Sequence, residues 1–319
     1  MSVAIRPRDI VSTPREDAEH TVGTAYNQAG EKYVEYADGN PNRLFAFDGQ
    51  YAYGDRQTWA LLDGKLRALR ATGATTIRIL DLGCGPGTWL RRVVTQALGL
   101  GFTTIAARGM DIADAQVRRA RGLARDLAAH PGVSLSFGVG DIRERFCEAD
   151  ASVDLCLCLY AVLNHVPRCD LAAVLSEISR VTAGVFIATV RAVGSTPTIF
   201  VGPLESARRF RQNNRTDRFD VDLQNGRHAS FNSHLFGTSE LRALAAPLFA
   251  VEDLRGLDLF HGRFANDPRW NPPDATASQG FSAELDRMED FYCRDPEFID
   301  HATHLLLVAR CKARRDAAR

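Results

Sequence analysis

A glycine-rich segment is the part of the sequence best suited to hold a ligand. In DLGCGPGTW, Gly83, Gly85 and Gly87 follow an apolar run directly and precede a helical pattern directly. Glycines at such a strand-to-helix turn let a ligand approach the backbone and leave N–H groups at a helix N-terminus. The spacing G-x-G-x-G differs from the G-x-G-x-x-G of dinucleotide-binding turns, because Thr88 stands where the third glycine should be. A nicotinamide cofactor is therefore not expected.

Three carboxylates accompany three successive apolar runs. Asp81 lies near the end of the first run, Asp111 follows the second, and Asp141 comes just after the third. Parallel strands bring their carboxyl ends to one edge of a sheet, where open α/β sheets bind ligands. Asp81 would repel a pyrophosphate and attract an ammonium or sulfonium charge. Asp111 is placed to accept hydrogen bonds from a ribose diol, and Asp141 from an adenine amino group.

The elements that must position these residues lie between residues 76 and 190, where short apolar runs alternate with helical patterns as in repeated βα units. The runs predict strands over 77–82, 103–110, 133–139, 153–159 and 185–190. The patterns between them predict helices over 88–99, 114–130 and 171–181. Strands that are apolar almost throughout are buried on both faces, which is typical of a parallel sheet. The predicted fold class is therefore α/β.

Two segments interrupt this regular pattern. Residues 1–75 combine an aromatic-rich stretch with a helix over 56–69, and we predict that they form a cap with a lead-in helix. Residues 191–237 are predicted to be an insertion after strand five. We predict that this insertion is a lid over the site of the substrate, which is called the acceptor below. This insertion contains Asn225-Gly226, a dipeptide typical of tight β-hairpin turns.

Residues 238–319 are predicted to close the fold. Their patterns indicate a helix over 239–247, strands six and seven over 248–259 and 304–311, and an inserted loop at 260–303 that includes a helix over 282–292.

Four consecutive segments carry a family resemblance. DLGCGPGTW, GMDIADAQVRRAR, VGDI and VDLCLCLYAVLNHVP resemble, in order and spacing, the motifs of class I S-adenosylmethionine-dependent methyltransferases. The resemblance implies a Rossmann-like, doubly wound sheet of seven strands, mostly parallel with an antiparallel last strand, and residues 76–190 as the core that binds S-adenosyl-L-methionine. The methionine portion would lie on Asp81 and the glycine backbone, the ribose on Asp111, and the adenine on Asp141 and Ile142. The expected cofactor contacts are Asp81, Gly83, Cys84, Gly85, Gly87, Asp111, Ile112, Asp141, Ile142 and Tyr160.

The two insertions depart from the family pattern and leave the acceptor site unassigned by resemblance. His165 follows strand four and should face the acceptor, so we hypothesise that it is a catalytic base; a histidine that caps the loop is the alternative. Asn164 and Tyr160 are the further catalytic candidates, although they could equally shape the pocket.

The predicted acceptor contacts come from the cap and from strand five. Tyr26 and Tyr33, in AYNQAGEKY, resemble the family's N-terminal aromatic cover. Arg191 follows strand five, where it could clamp a carboxylate or phosphate; a solvated or ion-paired arginine is the alternative.

Composition limits the partners. Thirty-nine basic residues balance thirty-nine acidic ones, so no global field favours nucleic acid or an anionic membrane. The arginine-rich stretch 208–218 is diluted by aspartates and is interpreted as a solvated helix face. We expect a cytoplasmic protein, because the sequence shows no apolar run of membrane-spanning length and no signal-peptide core at its start. Seven scattered cysteines without a C-x-x-C pair argue against a disulfide framework and a zinc site, so no metal is expected.

The predicted function is methyl transfer from S-adenosylmethionine to an oxygen or nitrogen atom of a small-molecule acceptor enclosed by the cap and insertions. An RNA or protein methyltransferase with an open, charged acceptor face is the first alternative. A non-catalytic S-adenosylmethionine-binding regulatory subunit is the second. The sequence sets neither the acceptor nor the oligomeric state.

Overall fold

The computed structural model describes residues 22–24, 26–27, 43–47, 51–195, 207–223, 226, 228–264 and 275–312. The strands in this part of the chain are β1 (Thr76–Leu82), β2 (Thr104–Asp111), β3 (Val133–Val139), β4 (Val153–Cys158), β5 (Thr182–Arg191), β6 (Ala207–Asn213), β7 (Arg218–Leu223), β8 (His228–Asn232), β9 (Phe249–Leu257) and β10 (His304–Cys311). The helices are α1 (Ala52–Ala71), α2 (Thr88–Gly99), α3 (Asp114–Leu123), α4 (Arg125–Ala128), α5 (Arg168–Val181), α6 (Thr238–Ala245), α7 (His261–Phe264) and α8 (Ala275–Tyr292), with 3₁₀ turns at Leu163–His165 and Ile299–His301.

Seven strands form the central sheet, in the order β3, β2, β1, β4, β5, β10, β9. Strands β1 to β5 pair in parallel, whereas β10 pairs antiparallel with both β5 and β9. The predicted Rossmann-like fold class with an antiparallel last strand is confirmed. The chain reverses its direction of winding at β1, between β2 and β4, and a crevice at the carboxyl ends of the strands is expected at that point.

The sheet is covered on both faces, as its apolar strands predict. Leu80 and Leu82 of β1 belong to one buried cluster, and Ile77 and Ile79 belong to the cluster on the other side. Successive residues of a strand point to opposite faces, so one short apolar run supplies both cores. Burial on both faces fixes where β1 ends and hence where the glycine-rich turn begins.

The arginine-rich segment forms strands, so its interpretation as a helix face is wrong. Strands β6, β7 and β8 form a separate three-stranded antiparallel sheet. In β7, buried Phe219 and Val221 alternate with polar residues, and this period of two is typical of a half-buried strand. Asp220 lies opposite Arg211 across the strand pair and accepts a hydrogen bond from Arg218 at 3.2 Å. The charges of this sheet are thus mixed in sign rather than uniformly basic.

The predicted insertions contain these additional elements in their described parts. Residues 191–237 include the small sheet, and residues 260–303 include α7 and α8. One predicted helix differs: the pattern over 114–130 forms two helices, α3 and α4, because the chain leaves helical geometry at Ala124.

A buried pair of carboxyl groups joins α1 to the loop after β9. Asp258 has a positive φ of 56° and accepts the Gly54 N–H at 3.2 Å. Glu289 of α8 accepts three backbone N–H groups, from residues 259, 260 and 261, at 2.8–3.0 Å. Burial, reinforced by the neighbouring Glu289, raises the pKa of Asp258 to about 8. The Asp258 carboxyl is therefore protonated in the folded protein at neutral pH.

We expect Asp258→Asn to raise the melting temperature by an amount that grows with pH. Between pH about 4 and about 8 the wild-type unfolded state loses the Asp258 proton while the folded state keeps it, so wild-type stability falls as pH rises through this window. Asparagine carries no proton to lose and tolerates a positive φ. Melting curves from pH 5 to 9 measure the difference. A pH-independent difference, equal to that of the exposed control Asp114→Asn, would contradict the prediction.

Candidate active site

One pocket lies at the carboxyl end of β1, where the winding direction reverses. It is lined by the glycine-rich turn, by the ends of β2, β3 and β4, and by residues 22 and 26. The predicted site residues that line it are Tyr26, Asp81, Gly83, Cys84, Gly85, Asp111, Ile112, Asp141, Ile142, Tyr160 and His165. Gly87, Asn164 and Arg191 do not line it, and Tyr33 lies outside the described residues.

The glycine-rich turn has no free backbone N–H group between residues 83 and 87. The N–H groups already donate within the chain, Gly83 and Cys84 to the Met110 carbonyl, Gly85 to the Asp111 carboxylate and Gly87 to the Cys84 carbonyl, at 2.8–2.9 Å. Proline at position 86 has none to give. The expected N–H groups at the helix N-terminus belong to residues from Thr88 onward, and their part in binding stays a prediction. Residues 83–87 themselves therefore offer a pyrophosphate no backbone donor, in line with the expectation that a dinucleotide does not bind.

Asp111 ties this turn to β2 while facing the pocket. Its Oδ2 accepts the Gly85 N–H and its Oδ1 accepts the Ala113 N–H, both at 2.8 Å. Burial raises the pKa of Asp111, and the two N–H donors oppose that rise. Each carboxylate oxygen has a second lone pair, so the group can still accept hydrogen bonds from a diol.

Asp141 is engaged by an arginine that the sequence analysis missed. The Arg143 guanidinium donates through Nε and Nη2 to Asp141 Oδ2, at 3.0 and 2.5 Å, and the Arg143 N–H donates to Oδ1 at 2.9 Å. Both residues line the pocket. The spacing D-x-R is the only signal in the sequence for this pair. Fewer lone pairs of Asp141 are left for an adenine amino group than the sequence implied, and its contact with adenine stays a prediction.

His165 is held between the cap and the small sheet. Its Nδ1 lies 2.9 Å from the Asn232 carbonyl, which can only accept, so Nδ1 carries the proton. Its Nε2 lies 2.9 Å from the Tyr26 hydroxyl, and in this tautomer Nε2 is the acceptor. Burial lowers the pKa of His165, and the charge of Arg191 lowers it further. The ring is a neutral imidazole with its basic nitrogen turned to the pocket-lining Tyr26.

Asn232 holds the turn on which His165 lies. Besides its carbonyl contact with the ring, its side-chain amide donates to the carbonyls of Asn164 and Val166, both at 3.2 Å. The sequence analysis missed Asn232, because the Asn225-Gly226 turn signals a hairpin but not which residue of β8 reaches the turn after β4.

The structure does not bring Asn164 and Arg191 to the pocket. Each is only 1% exposed. The Asn164 side chain accepts the Arg191 N–H at 2.9 Å and donates to the Arg191 carbonyl at 3.3 Å, which joins the 3₁₀ turn to β5. The Arg191 guanidinium donates to Ser195 Oγ at 3.0 Å, and β10 covers this end of β5. Asn164 as a catalytic group and Arg191 as a clamp on the acceptor are therefore not supported.

Tyr160 occupies a strained position at the end of β4. Its φ is 56°, and its N–H donates to Thr189 Oγ1 at 2.5 Å. A positive φ is costly for an aromatic residue, so the contacts around the turn must hold it. This conformation directs the ring into a group of aromatic side chains next to the pocket, including Trp89 with ring centroids 6.0 Å apart.

These features define a class: an α/β protein with carboxylates at the ends of three consecutive parallel strands around a glycine-rich turn. Residues 79–184 match the family model described as a methyltransferase domain. Residues 79–184 therefore form a methyltransferase domain of the class I fold, an enzyme domain whose cofactor is S-adenosylmethionine.

Several solved structures are similar to this chain at low sequence identity. The [4+2]-cyclase SpnF is similar with a TM-score of 0.53 and 19% identity over 92% of this chain and 96% of that one. An S-adenosylmethionine-dependent methyltransferase from Clostridium acetobutylicum ATCC 824 matches with a TM-score of 0.49 and 11% identity, over 91% of this chain and 100% of that one. The PH0226 protein from Pyrococcus horikoshii OT3 matches with a TM-score of 0.48 and 18% identity, over 88% and 99%. No curated protein matches the sequence.

Two further findings concern partners. Within the described ranges, no helix has both the length and the apolar character needed to cross a membrane. Nor does that part of the chain bring three or more histidine, cysteine, aspartate or glutamate side chains into a group that could hold a metal ion.

A pair of glycine substitutions separates packing from ligand binding at the turn. Gly83 and Gly85 both have positive φ, 68° and 52°, so alanine strains both alike. A Cβ on Gly83 would lie 2.2 Å from Val162 Cγ2, whereas a Cβ on Gly85 would meet nothing within 4 Å and enter the pocket. We expect Gly83→Ala to lower the melting temperature more, and Gly85→Ala to weaken S-adenosylmethionine binding with the smaller stability loss. Thermal melts and titration calorimetry test this, and equal stability losses would contradict it.

Proposed function

We propose that the protein transfers the methyl group to an oxygen or nitrogen atom of a small-molecule acceptor. The observation that carries this proposal is the hydrogen bond between Tyr26 and His165, at 2.9 Å, inside the pocket that holds the three carboxylates. A neutral histidine whose basic Nε2 faces the Tyr26 hydroxyl can take up, through that tyrosine, the proton that an acceptor hydroxyl loses as the new bond forms or that an amine nitrogen loses once it is methylated.

The residues of the pocket fit the cofactor. When bound, S-adenosylmethionine supplies an electrophilic methyl group on a positively charged sulfur. We propose that Asp81 offers its charge to the cationic methionine portion, that Asp111 accepts the ribose hydroxyls, and that Asp141 with Ile142 contacts the adenine. The space in front of Gly85, where a Cβ would meet nothing within 4 Å, lets the methionine portion approach the backbone.

The proton path uses the chain's own residues. His165 Nε2 accepts the Tyr26 hydroxyl proton, so Tyr26 can in turn accept a proton from the acceptor and pass its own to His165. The Asn232 carbonyl holds Nδ1–H and stabilises the imidazolium formed when Nε2 is protonated. Enclosure by Val22 and Tyr26 favours exclusion of water, and the chain mainly supplies orientation.

Charge favours a small molecule over RNA. Arginines of the small sheet face aspartates, as with Arg211 opposite Asp220 and Arg218 bonded to it. An RNA-binding face needs basic side chains with aromatic rings between them for base stacking.

A cytoplasmic location stays a prediction.

Radiolabel transfer from methyl-labelled S-adenosylmethionine to size-fractionated cell extract tests the proposal. We expect label in the low-mass fraction, unaffected by treatment with protease or ribonuclease. Label that co-migrates with macromolecules and is released by ribonuclease or protease would instead support the RNA or protein alternative. Tyr26→Phe, which removes only the hydroxyl, should reduce the low-mass label.

A further inference from the structure

Four aromatic side chains from distant parts of the chain meet beside the pocket. The ring of Tyr160 lies 6.1 Å from that of Tyr51, 6.0 Å from that of Trp89 and 5.5 Å from that of His304, centroid to centroid. Tyr51 and His304 meet edge to face at 4.8 Å. Trp89 and Tyr160 also line the main pocket, so this aromatic cluster adjoins the pocket through these two residues.

Three polar atoms of the aromatic cluster have no hydrogen-bond partner within the described part of the chain. They are Trp89 Nε1, the Tyr160 hydroxyl and His304 Nδ1, all buried. Trp89 is 6% exposed and His304 is 3% exposed, so solvent does not hydrate these side chains freely. A buried polar atom without a partner destabilises the fold, because it has lost its hydrogen bonds to water and gained none in the protein. Three of them in one contact group point to a ligand that supplies the missing partners.

The surroundings of the three atoms indicate which charge that ligand carries. The indole Nε1–H can only donate, so the ligand must carry an acceptor atom. Burial, with a contribution from the charge of Arg191, lowers the pKa of His304 to about 3, so its ring is neutral. Arg191 lies directly opposite His304 in the β5–β10 register. The positive charge of Arg191 would repel a cationic ligand here and attract an anionic or carbonyl oxygen.

We propose that the aromatic cluster is the acceptor subsite and that it binds a planar aromatic molecule with a phenolic or carboxylate oxygen. The rings of Trp89 and Tyr160, which line the pocket, offer surfaces for a flat apolar body, and the three unpartnered atoms offer hydrogen bonds to its oxygen. This inference rests on the proposed transfer to a small molecule and names the class of that molecule.

Ligand-detected NMR with the full chain tests the subsite. The probes are 4-hydroxybenzoate, cyclohexanecarboxylate, which is anionic but not flat, and benzyltrimethylammonium, which is flat but cationic. Each is measured alone and with S-adenosylhomocysteine. We expect 4-hydroxybenzoate to bind most tightly of the three. His304→Phe should weaken its binding by about tenfold or more, the loss expected when one well-placed hydrogen bond is removed.

The same variant separates a binding role from a structural one. Because His304→Phe removes an unpartnered buried atom and keeps an aromatic ring, the melting temperature should stay the same or rise. Its affinity for S-adenosylhomocysteine should stay within about twofold of wild type, since His304 is not among the residues that we propose to contact the cofactor. His228→Phe, on the exposed hairpin, is the matched control and should change none of these values.

Three results would overturn the subsite: tighter binding of the cationic probe, no binding of 4-hydroxybenzoate, or a His304→Phe variant that binds it normally. A marked loss of melting temperature with normal binding would identify His304 as a structural residue. Failure of S-adenosylhomocysteine to bind would count against the proposed function. Binding of 4-hydroxybenzoate measured without S-adenosylhomocysteine tests the subsite separately, so the two failures can be distinguished.

Discussion

His165→Ala is expected to lower the turnover number by about 100-fold, the usual contribution of a general base. The variant loses the nitrogen that accepts the Tyr26 hydroxyl proton at 2.9 Å, but leaves the three carboxylates in place. The affinity for S-adenosylmethionine should therefore change little. Steady-state kinetics with the acceptor found in the labelling experiment give turnover, and calorimetry gives cofactor affinity.

The pH profile distinguishes loss of a base from loss of packing. Burial lowers the pKa of His165 below its usual 6.5, so wild-type turnover should fall only below that pH as the ring takes up a proton. This acidic limb should disappear in His165→Ala. The exposed control His228→Ala should keep both the rate and the limb. Unchanged turnover in His165→Ala would mean that the acceptor arrives without a proton to remove, and that orientation carries the rate.

Asp111→Ala is expected to weaken S-adenosylmethionine binding by about 1.5–3 kcal/mol, or roughly 10- to 150-fold, through loss of charge-assisted hydrogen bonds. The effect has two sources, because the same carboxylate holds the Gly85 N–H and thereby the glycine-rich turn. Asp141→Ala should weaken binding less, since Arg143 already occupies that carboxylate. Calorimetric titration of both variants measures the ranking.

The raised pKa of Asp111 adds a pH test. Because burial shifts its proton loss to higher pH than usual, wild-type cofactor affinity should fall on acidification before an ordinary aspartate is protonated. Asp114→Ala, an exposed substitution three residues away, is the control for stability and affinity. An Asp111→Ala protein that binds normally but melts many degrees lower would identify Asp111 as a structural cap.

Local sequence predicted which turn and which strand ends line the pocket. Asp111 comes directly after an apolar run, so its position in the sequence alone predicts that it lies at the end of a strand. That strand is parallel to β1 and pairs with it. The glycine-rich turn was predictable for the same reason. The hydrogen bonds that use up its N–H groups were not, because they depend on the Met110 carbonyl and the Asp111 carboxylate of another strand.

The side of the pocket that we propose for the acceptor could not be predicted, because it depends on the order and register of strands far apart in sequence. His304 begins a strand whose bounds the sequence predicts correctly, yet nothing local indicates that the strand lies beside β5 and places His304 opposite Arg191. That pairing also explains the failure of Arg191 as a pocket residue. Asn232 escaped notice likewise, since its contact with His165 spans 67 residues.

The position of β10 has a consequence for how the chain is made. Residues 304–311 fill a gap between two strands that are synthesised earlier, β5 and β9. Until they emerge from the ribosome, both neighbours present unpaired edges rich in apolar residues, a state prone to pairing with other chains. A chain interrupted before residue 304 would keep both edges open. Pairing of β10 with both neighbours is thus the step that closes these two edges, and dependence on chaperones should fall at that point.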